Sequence, residues 1–148
     1  MELADVEPVA SLLRELAQEF SVGELSQEAR RKFLEENSAD AIRRFVSSGF
    51  RYHVAEMNGV LVGFVGVRDN KHLYHLFVAK TLQRKGIGHM LWSLAKEECE
   101  MAGHRGAITV NSSNNAMPVY ERWGFCRDGP AKHSNGVTYN PMKLEPAE

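Results

Sequence analysis

Gln83, Arg84, Lys85, Gly86, Ile87 and Gly88 place two cations and two glycines in one short run. The run follows Leu76, Phe77 and Val78, which read as the end of a buried strand, and it leads into a dozen residues with a helical apolar pattern. A helix N-terminus carries unpaired backbone N–H groups and the positive end of the helix dipole. Glycines let such a backbone approach an anion closely. The chemistry open to these residues is the holding of a pyrophosphate. The same glycines would also serve a plain strand-to-helix turn, with Arg and Lys for solubility. Neither dinucleotide template accounts for them, because the third glycine of G-x-G-x-x-G and the GK[ST] of a phosphate loop are both missing.

Other reactive side chains are sparse. His72-x-x-His75 could suggest a metal, but strand alternation sends the two rings to opposite faces and no nearby Cys, Asp or Glu completes a ligand set. No metal is expected. His53, His89, His104 and His133 are scattered and read as surface or half-buried residues. Cys99 and Cys126 have no close spacing, and nothing beside Cys126 would lower its pKa, so both read as reduced thiols without a disulfide. Trp92 and Trp123 read as packing anchors, and Glu121 and Arg122 as a solvated helix face.

The elements that must carry these residues follow from periodicity. Residues 1–20 read as a helix with apolar residues at three- and four-residue steps from Val6 to Phe20, capped by Asp5, and Ser21-Val22-Gly23 ends it. A weaker helix spans 26–36. Ser38 or Asp40 caps a third, with Ile42, Phe45 and Val46 as its apolar stripe. Residues 50–56, 60–67 and 72–78 form a three-strand meander joined at Asn58-Gly59 and Asp69-Asn70. Gly63 and Gly66 within the second strand mark close packing or a bulge.

A helix over 87–101 would bury Ile87, Met90, Leu91, Leu94 and Ala95, and Gly103 stands beyond its end. A short strand at 107–110, the polar loop 111–115, a short helix at 116–122 with Pro118 in its first turn, and strands at 125–127 and 137–144 complete the chain. The order gives an α/β fold with a mixed, largely antiparallel sheet flanked by helices, in which the β–α–β step through 72–110 sets two strands parallel. No repeat or linker divides residues 1–148, so a single domain is expected.

A net charge of −1 provides no global basic field, so no nucleic acid or anionic membrane partner is expected. No apolar run approaches membrane length and no basic–apolar leader opens the chain, which points to the cytoplasm.

Two stretches resemble the GNAT N-acetyltransferase superfamily. LFVAKTLQRKGIG, followed by HMLWSLAKEE, is similar to its Q-x-x-G-x-G acyl-CoA signature, and NSSNNAMPVYERWGF is similar to its later segment with N, A, Y-E and G-F. The likeness covers roughly residues 50–144. It implies a V-shaped cleft in which the strand before the basic turn splays from its neighbour at a bulge and the pantetheine arm of acetyl-CoA lies as a pseudo-strand. Carried over residue by residue, it implies that Phe77 and Val78 offer backbone hydrogen bonds to pantetheine and the thioester carbonyl. It implies that Gln83, Arg84, Lys85, Gly86, Ile87 and Gly88 bind pyrophosphate, that Asn111 and Asn115 flank the cofactor, and that Tyr120 faces the thioester sulfur. His72 falls where many relatives carry a glutamate base.

Those residue types suit thioester aminolysis. The step needs a neutral amine, a polarised carbonyl and a proton for the departing thiolate. A tyrosine, with an ordinary pKa of about 10, can supply that proton, and a histidine, ordinarily about 6.5, can relay one from the amine. No covalent enzyme intermediate is required, so the absence of a Ser-His-Asp or Cys-His pattern is no objection. The reading is therefore an acetyl-CoA-dependent N-acetyltransferase acting by direct transfer in a ternary complex on a small-molecule or peptide amine; the alternative is a catalytically silent acyl-CoA-binding module. Only four residues precede Asp5, too few for the edge strand with which relatives begin. The first strand is then short, absent or supplied by another chain, and the exposed edge hints at a homodimer.

Overall fold

The computed structural model describes residues 2–18, 27–134 and 137–146. Phe20, the expected break at Ser21-Val22-Gly23 and the turn at Asn135-Gly136 lie outside them. Three helices, α1 (Val6–Gln18), α2 (Gln27–Glu36) and α3 (Ala39–Ser47), precede the sheet. Then come β1 (Arg51–Met57), β2 (Val60–Arg68), β3 (His72–Val78), α4 (Ile87–Met101), β4 (Ile108–Ser112), α5 (Met117–Arg122), β5 (Cys126–Arg127), β6 (Lys132–Ser134) and β7 (Val137–Leu144). Ser38 caps α3, its hydroxyl accepting from the Ala41 N–H at 3.2 Å. Asn58 and Gly59 both take positive φ, as the expected hairpin turn requires.

The sheet runs β1-β2-β3-β4-β7-β5, with β6 paired to β7. Every pairing is antiparallel except β3 with β4. Among the described residues no strand precedes α1; Leu3–Asp5 form a single 3-10 turn, and β1 is left as the sheet edge.

Helices cover both faces. On one, α4 and α5 pack over Val65, Val67, Leu73 and Val78; on the other, α1 and α3 pack over Tyr52 and Phe64. Helix α4 buries Leu91, Trp92, Ala95 and Cys99, whereas Met90 and Leu94 are 59% and 43% exposed. The expected buried face was therefore rotated: Trp92 and Cys99 fill the sheet side, and the flexible, unbranched Met90 is left to solvent.

Two departures from regular pairing shape the centre of the sheet. Strand β3 pairs with β4 only through His72↔Thr109 and Leu73↔Val110, after which the strands diverge. Beside that point β3 carries one extra residue: Leu73 faces Val67 and His75 faces Gly66, so Tyr74 is unmatched. The bulge breaks the alternation on which the facial assignment rested. Leu73, Leu76 and Val78 enter the α4 side, while His75 and Phe77 enter the α1–α3 side. His72, opposite Arg68, shares that second side, with its ring 6.5 Å from that of Tyr74. His72 and His75 thus lie on one face, not two.

Candidate active site

The opening between β3 and β4 is lined by main-chain groups whose direction the ladders settle. Ala79 N–H donates to the Val62 carbonyl at 2.8 Å. In an antiparallel ladder, residues two apart turn the same way. Phe77, opposite Phe64, therefore spends its N–H and C=O on β2, and Leu76 and Val78 turn theirs into the opening. Leu76 was not among the residues expected there; the in-and-out rule of the ladder, applied once the partner of Ala79 is known, identifies it in place of Phe77. Across the opening, Thr109 N–H still reaches the Lys71 carbonyl at 2.9 Å. Asn111, two residues on, turns to the same side, where β3 has left. Its β7 partner Pro141 has no N–H and gives its carbonyl to Asp128 N–H at 2.8 Å.

The basic turn closes the top of the opening. The Gln83 side-chain amide donates to the Val78 carbonyl at 3.0 Å, tying the turn to the strand end. Arg84 and Gly86 take φ of 64° and 86°. Gly86 is the N-cap of α4 and has no side chain to cap the first N–H groups of the helix, and a side chain there would meet nothing within 4 Å. Arg84 and Lys85 are exposed, with no ion-pair partner among the described residues. Ile87 is half-buried. A Cβ on Gly88 would sit in ordinary contact with Val78 Cγ2 at 3.7 Å and Trp123 Cη2 at 3.9 Å, so the start of α4 lies against β3 and Trp123. Unpaired strand edges, a cation-rich turn and a bare helix start fit the amides and pyrophosphate of a CoA-type ligand.

Tyr120, on α5, packs edge-on to Trp123 and Phe125 at 5.5 and 5.4 Å between ring centroids. Burial pushes its pKa above the ordinary tyrosine value, so its hydroxyl stays protonated. That hydroxyl has no hydrogen bond among the described residues, yet no sealed side-chain N or O among them lacks a partner, so it is not fully sealed. His72 is 8% exposed. Its Nδ1 shares a 2.7 Å hydrogen bond with Thr109 Oγ1, and by the same reasoning its Nε2 is not fully sealed. Burial, aided by Arg68 and opposed by Asp69, lowers its pKa to about 4, so His72 is neutral at neutral pH.

Asn111 and Asn115 are exposed on the β4 side. The residue that holds their loop is Asn140, 1% exposed, which has no motif in the sequence to announce it. Its Nδ2 donates to the Ser112 carbonyl at 3.1 Å and to Asn114 Oδ1 at 2.8 Å, and its Oδ1 accepts from Arg127 at 3.1 Å. His75, weighed in the sequence only as half of a metal pair, is instead 5% exposed and held between Tyr52 and Asn37. Among the described residues no cluster of three His, Cys, Asp or Glu could hold a metal.

Known proteins share this architecture. The structure superposes on a GCN5-related N-acetyltransferase from Rhodopseudomonas palustris with a TM-score of 0.83 at 18% identity, over 98% of this chain and 92% of that one. It superposes on the PaiA N-acetyltransferase of Thermoplasma acidophilum in complex with coenzyme A with a TM-score of 0.82 at 17% identity, over 98% and 95%. In sequence it is 32% identical over 87 residues to Acetyltransferase Atu2258 of Agrobacterium fabrum, covering 55% of this chain and 64% of that protein. It is 31% identical over 108 residues to N-acetyltransferase family 8 member 3 of Rattus norvegicus, covering 65% of this chain and 47% of that protein. The match thus spans less than two thirds of either relative. The profile of the acetyltransferase (GNAT) domain matches residues 21–146, most of the chain. With the splayed β3–β4 pair and the Q-x-x-G-x-G turn, that match makes the chain a member of the GNAT acetyltransferase family.

Proposed function

We propose that this protein is an acetyl-CoA-dependent N-acetyltransferase that passes an acetyl group directly to a primary amine within a ternary complex. One observation carries the reading. Two polar side-chain atoms suited to proton transfer, Tyr120 Oη and His72 Nε2, are left unsealed in otherwise buried residues, and they stand on opposite sides of the same splayed strand pair.

Bound acetyl-CoA supplies an activated acyl thioester. The Leu76 and Val78 N–H groups, about 7 Å apart along β3, hold the thioester arm between β3 and β4, and one of them polarises the acyl oxygen. The Asn111 main chain holds the facing amides, with the exposed side chains of Asn111 and Asn115 flanking them. Gln83 to Gly86, with the first N–H groups of α4 at Ile87 and Gly88, bind the pyrophosphate, Arg84 and Lys85 offsetting its charge. Tyr120 donates a proton to the departing sulfur. His72, neutral and weakly basic, accepts a proton from the amine through water. The amine approaches from the α1–α3 side, where His72 and Tyr74 lie.

Calorimetry with CoA, followed by an amine panel read by free-thiol release from acetyl-CoA, tests the reading. Sub-millimolar CoA binding with turnover of at least one amine is expected. Failure to bind CoA would overturn it, and binding without turnover of any amine would favour the silent acyl-CoA-binding module.

A further inference from the structure

The stretch of β3 that carries the proposed thioester donors is held by one ladder only, on β2. Beyond Leu73 it has lost β4, and at Tyr74 it has slipped by one residue against β2. Only Tyr74, at the bulge, has no ladder partner; residues 75–78 pair with β2 alone, so a side-chain tie beside the bulge would fix their direction further.

His75 is the side chain placed to do so. Its Nδ1 lies 2.8 Å from Tyr52 Oη on β1, and its Nε2 lies 2.6 Å from Asn37 Oδ1, just past α2. Asn37 Nδ2 donates to the Phe33 carbonyl at 2.9 Å, which leaves Asn37 Oδ1 as an acceptor. The chain then has one consistent proton arrangement: Tyr52 O–H donates to Nδ1, and Nε2–H donates to Asn37. His75 is neutral in one tautomer, and the rings of Tyr52, Phe64, Tyr74 and Phe77 surround it. Both of its hydrogen bonds are buried, where geometry is enforced because a lost partner has no water to replace it.

Tyr52 and Asn37 stand at opposite ends of this chain, on the first strand and at the end of the second helix. Through them His75 clamps the bulge of β3 to elements on the α1–α3 side. The residue after it, Leu76, turns its N–H into the opening.

We propose that His75 is a positioning residue. Through Tyr52 and Asn37 it holds the bulged segment of β3 so that the Leu76 and Val78 N–H groups point at the thioester arm, one of them at its acyl oxygen, and it locks that geometry to the end of α2. The inference rests on the N-acetyltransferase reading, but its test needs no acceptor. The probe is acetyl-CoA labelled with 13C at the acetyl carbonyl, bound to the whole protein and observed by NMR. A polarised carbonyl resonates downfield of the free thioester.

With wild-type protein a downfield shift is expected on binding. In Tyr52→Phe, which removes one hydroxyl and keeps the ring, the shift should shrink by at least half while acetyl-CoA affinity stays within about threefold, since the pyrophosphate turn is untouched. Asn37→Ser should have a similar effect, and the double variant should do little more than either, because the chain acts as a unit. Asn37→Ser alone decides the matter if Tyr52→Phe loses its cooperative unfolding transition. A wild-type-like shift in a folded variant overturns the proposal, as does a bound wild-type resonance at the free position. Absence of acetyl-CoA binding by the wild type would instead overturn the underlying enzymatic reading.

Discussion

On the α4 side of β3, the proposed site is built largely from main chain: two N–H groups between strands, the start of a helix, and a turn whose glycine takes positive φ, with the Tyr120 side chain added from α5. On the α1–α3 side, it is built from side chains: His72 on Thr109, His75 between Tyr52 and Asn37, and Tyr74 against Phe45 and Phe50 at 5.1 and 5.2 Å. The two constructions respond differently to change. A main-chain site depends on backbone shape and tolerates most side-chain substitutions that keep that shape. A side-chain site is redrawn by any one of them.

Two glycines sharpen the contrast. Gly86 has open space where its side chain would stand, and Gly66 does not: a Cβ there would lie 2.7 Å from Cζ of the buried Tyr52 ring. Gly86→Trp should therefore weaken CoA binding at least about 100-fold by filling the pyrophosphate space. Its stability cost should be only about 1 kcal/mol, for a side chain at positive φ. Gly66→Ala should do the reverse. It should cost about 2–3 kcal/mol of unfolding free energy as Tyr52 is displaced, while CoA affinity in the folded protein changes only a few-fold. Calorimetry and urea unfolding on both variants read the two axes. A destabilised Gly86→Trp with intact CoA affinity would break the distinction.

Tyr120 and His72 test the comparison at the level of the reaction. Tyr120→Phe removes a single protonated hydroxyl from the cofactor side, and kcat should fall about 10–100-fold with CoA affinity unchanged. Full activity across pH would leave the tyrosine as packing alone. His72→Ala should spare CoA binding and lower kcat less, because a histidine with a pKa near 4 is a weak base and water can replace part of a relay.

The same contrast governs what could be read without coordinates. Local signals survived: Asn58-Gly59 made its turn, Ser38 its cap, and Gln83 to Gly88 its turn into a helix, because each is decided within a few residues. Gly66 was legible as a tight spot but not as the neighbour of Tyr52. What failed depended on a partner. The bulge at Tyr74 exists only relative to β2, and it moved Leu73 off the face of His75 and Phe77. The swap of Phe77 for Leu76 follows from which edge β2 occupies. Met90 and Leu94 satisfied a helical pattern whose centre the packing of Trp92 and Cys99 then turned away from them. Asn140 and the Tyr52–His75–Asn37 chain join residues between 13 and 38 positions apart, and no spacing rule announces such contacts.

Acid should separate the two sides most gently. Burial holds His72 at about 4 and His75 at about 3, below the ordinary histidine value near 6.5. Above pH 6.5 both are neutral, folded or unfolded, and stability is full. Below it, the unfolded chain takes up protons that the folded chain refuses, so stability falls until the pH passes the two folded values. The slope is roughly 1.4 kcal/mol per pH unit for each histidine. Tyr120, pushed in the opposite direction, does not titrate in this window. Urea midpoints at pH 7, 6 and 5 should therefore decline in the wild type, and His72→Gln should remove about half of the histidine-linked slope. If the midpoint instead stays level from pH 7 to 5, the histidines of the α1–α3 side are not held neutral, and the side-chain network there is looser than its hydrogen bonds require.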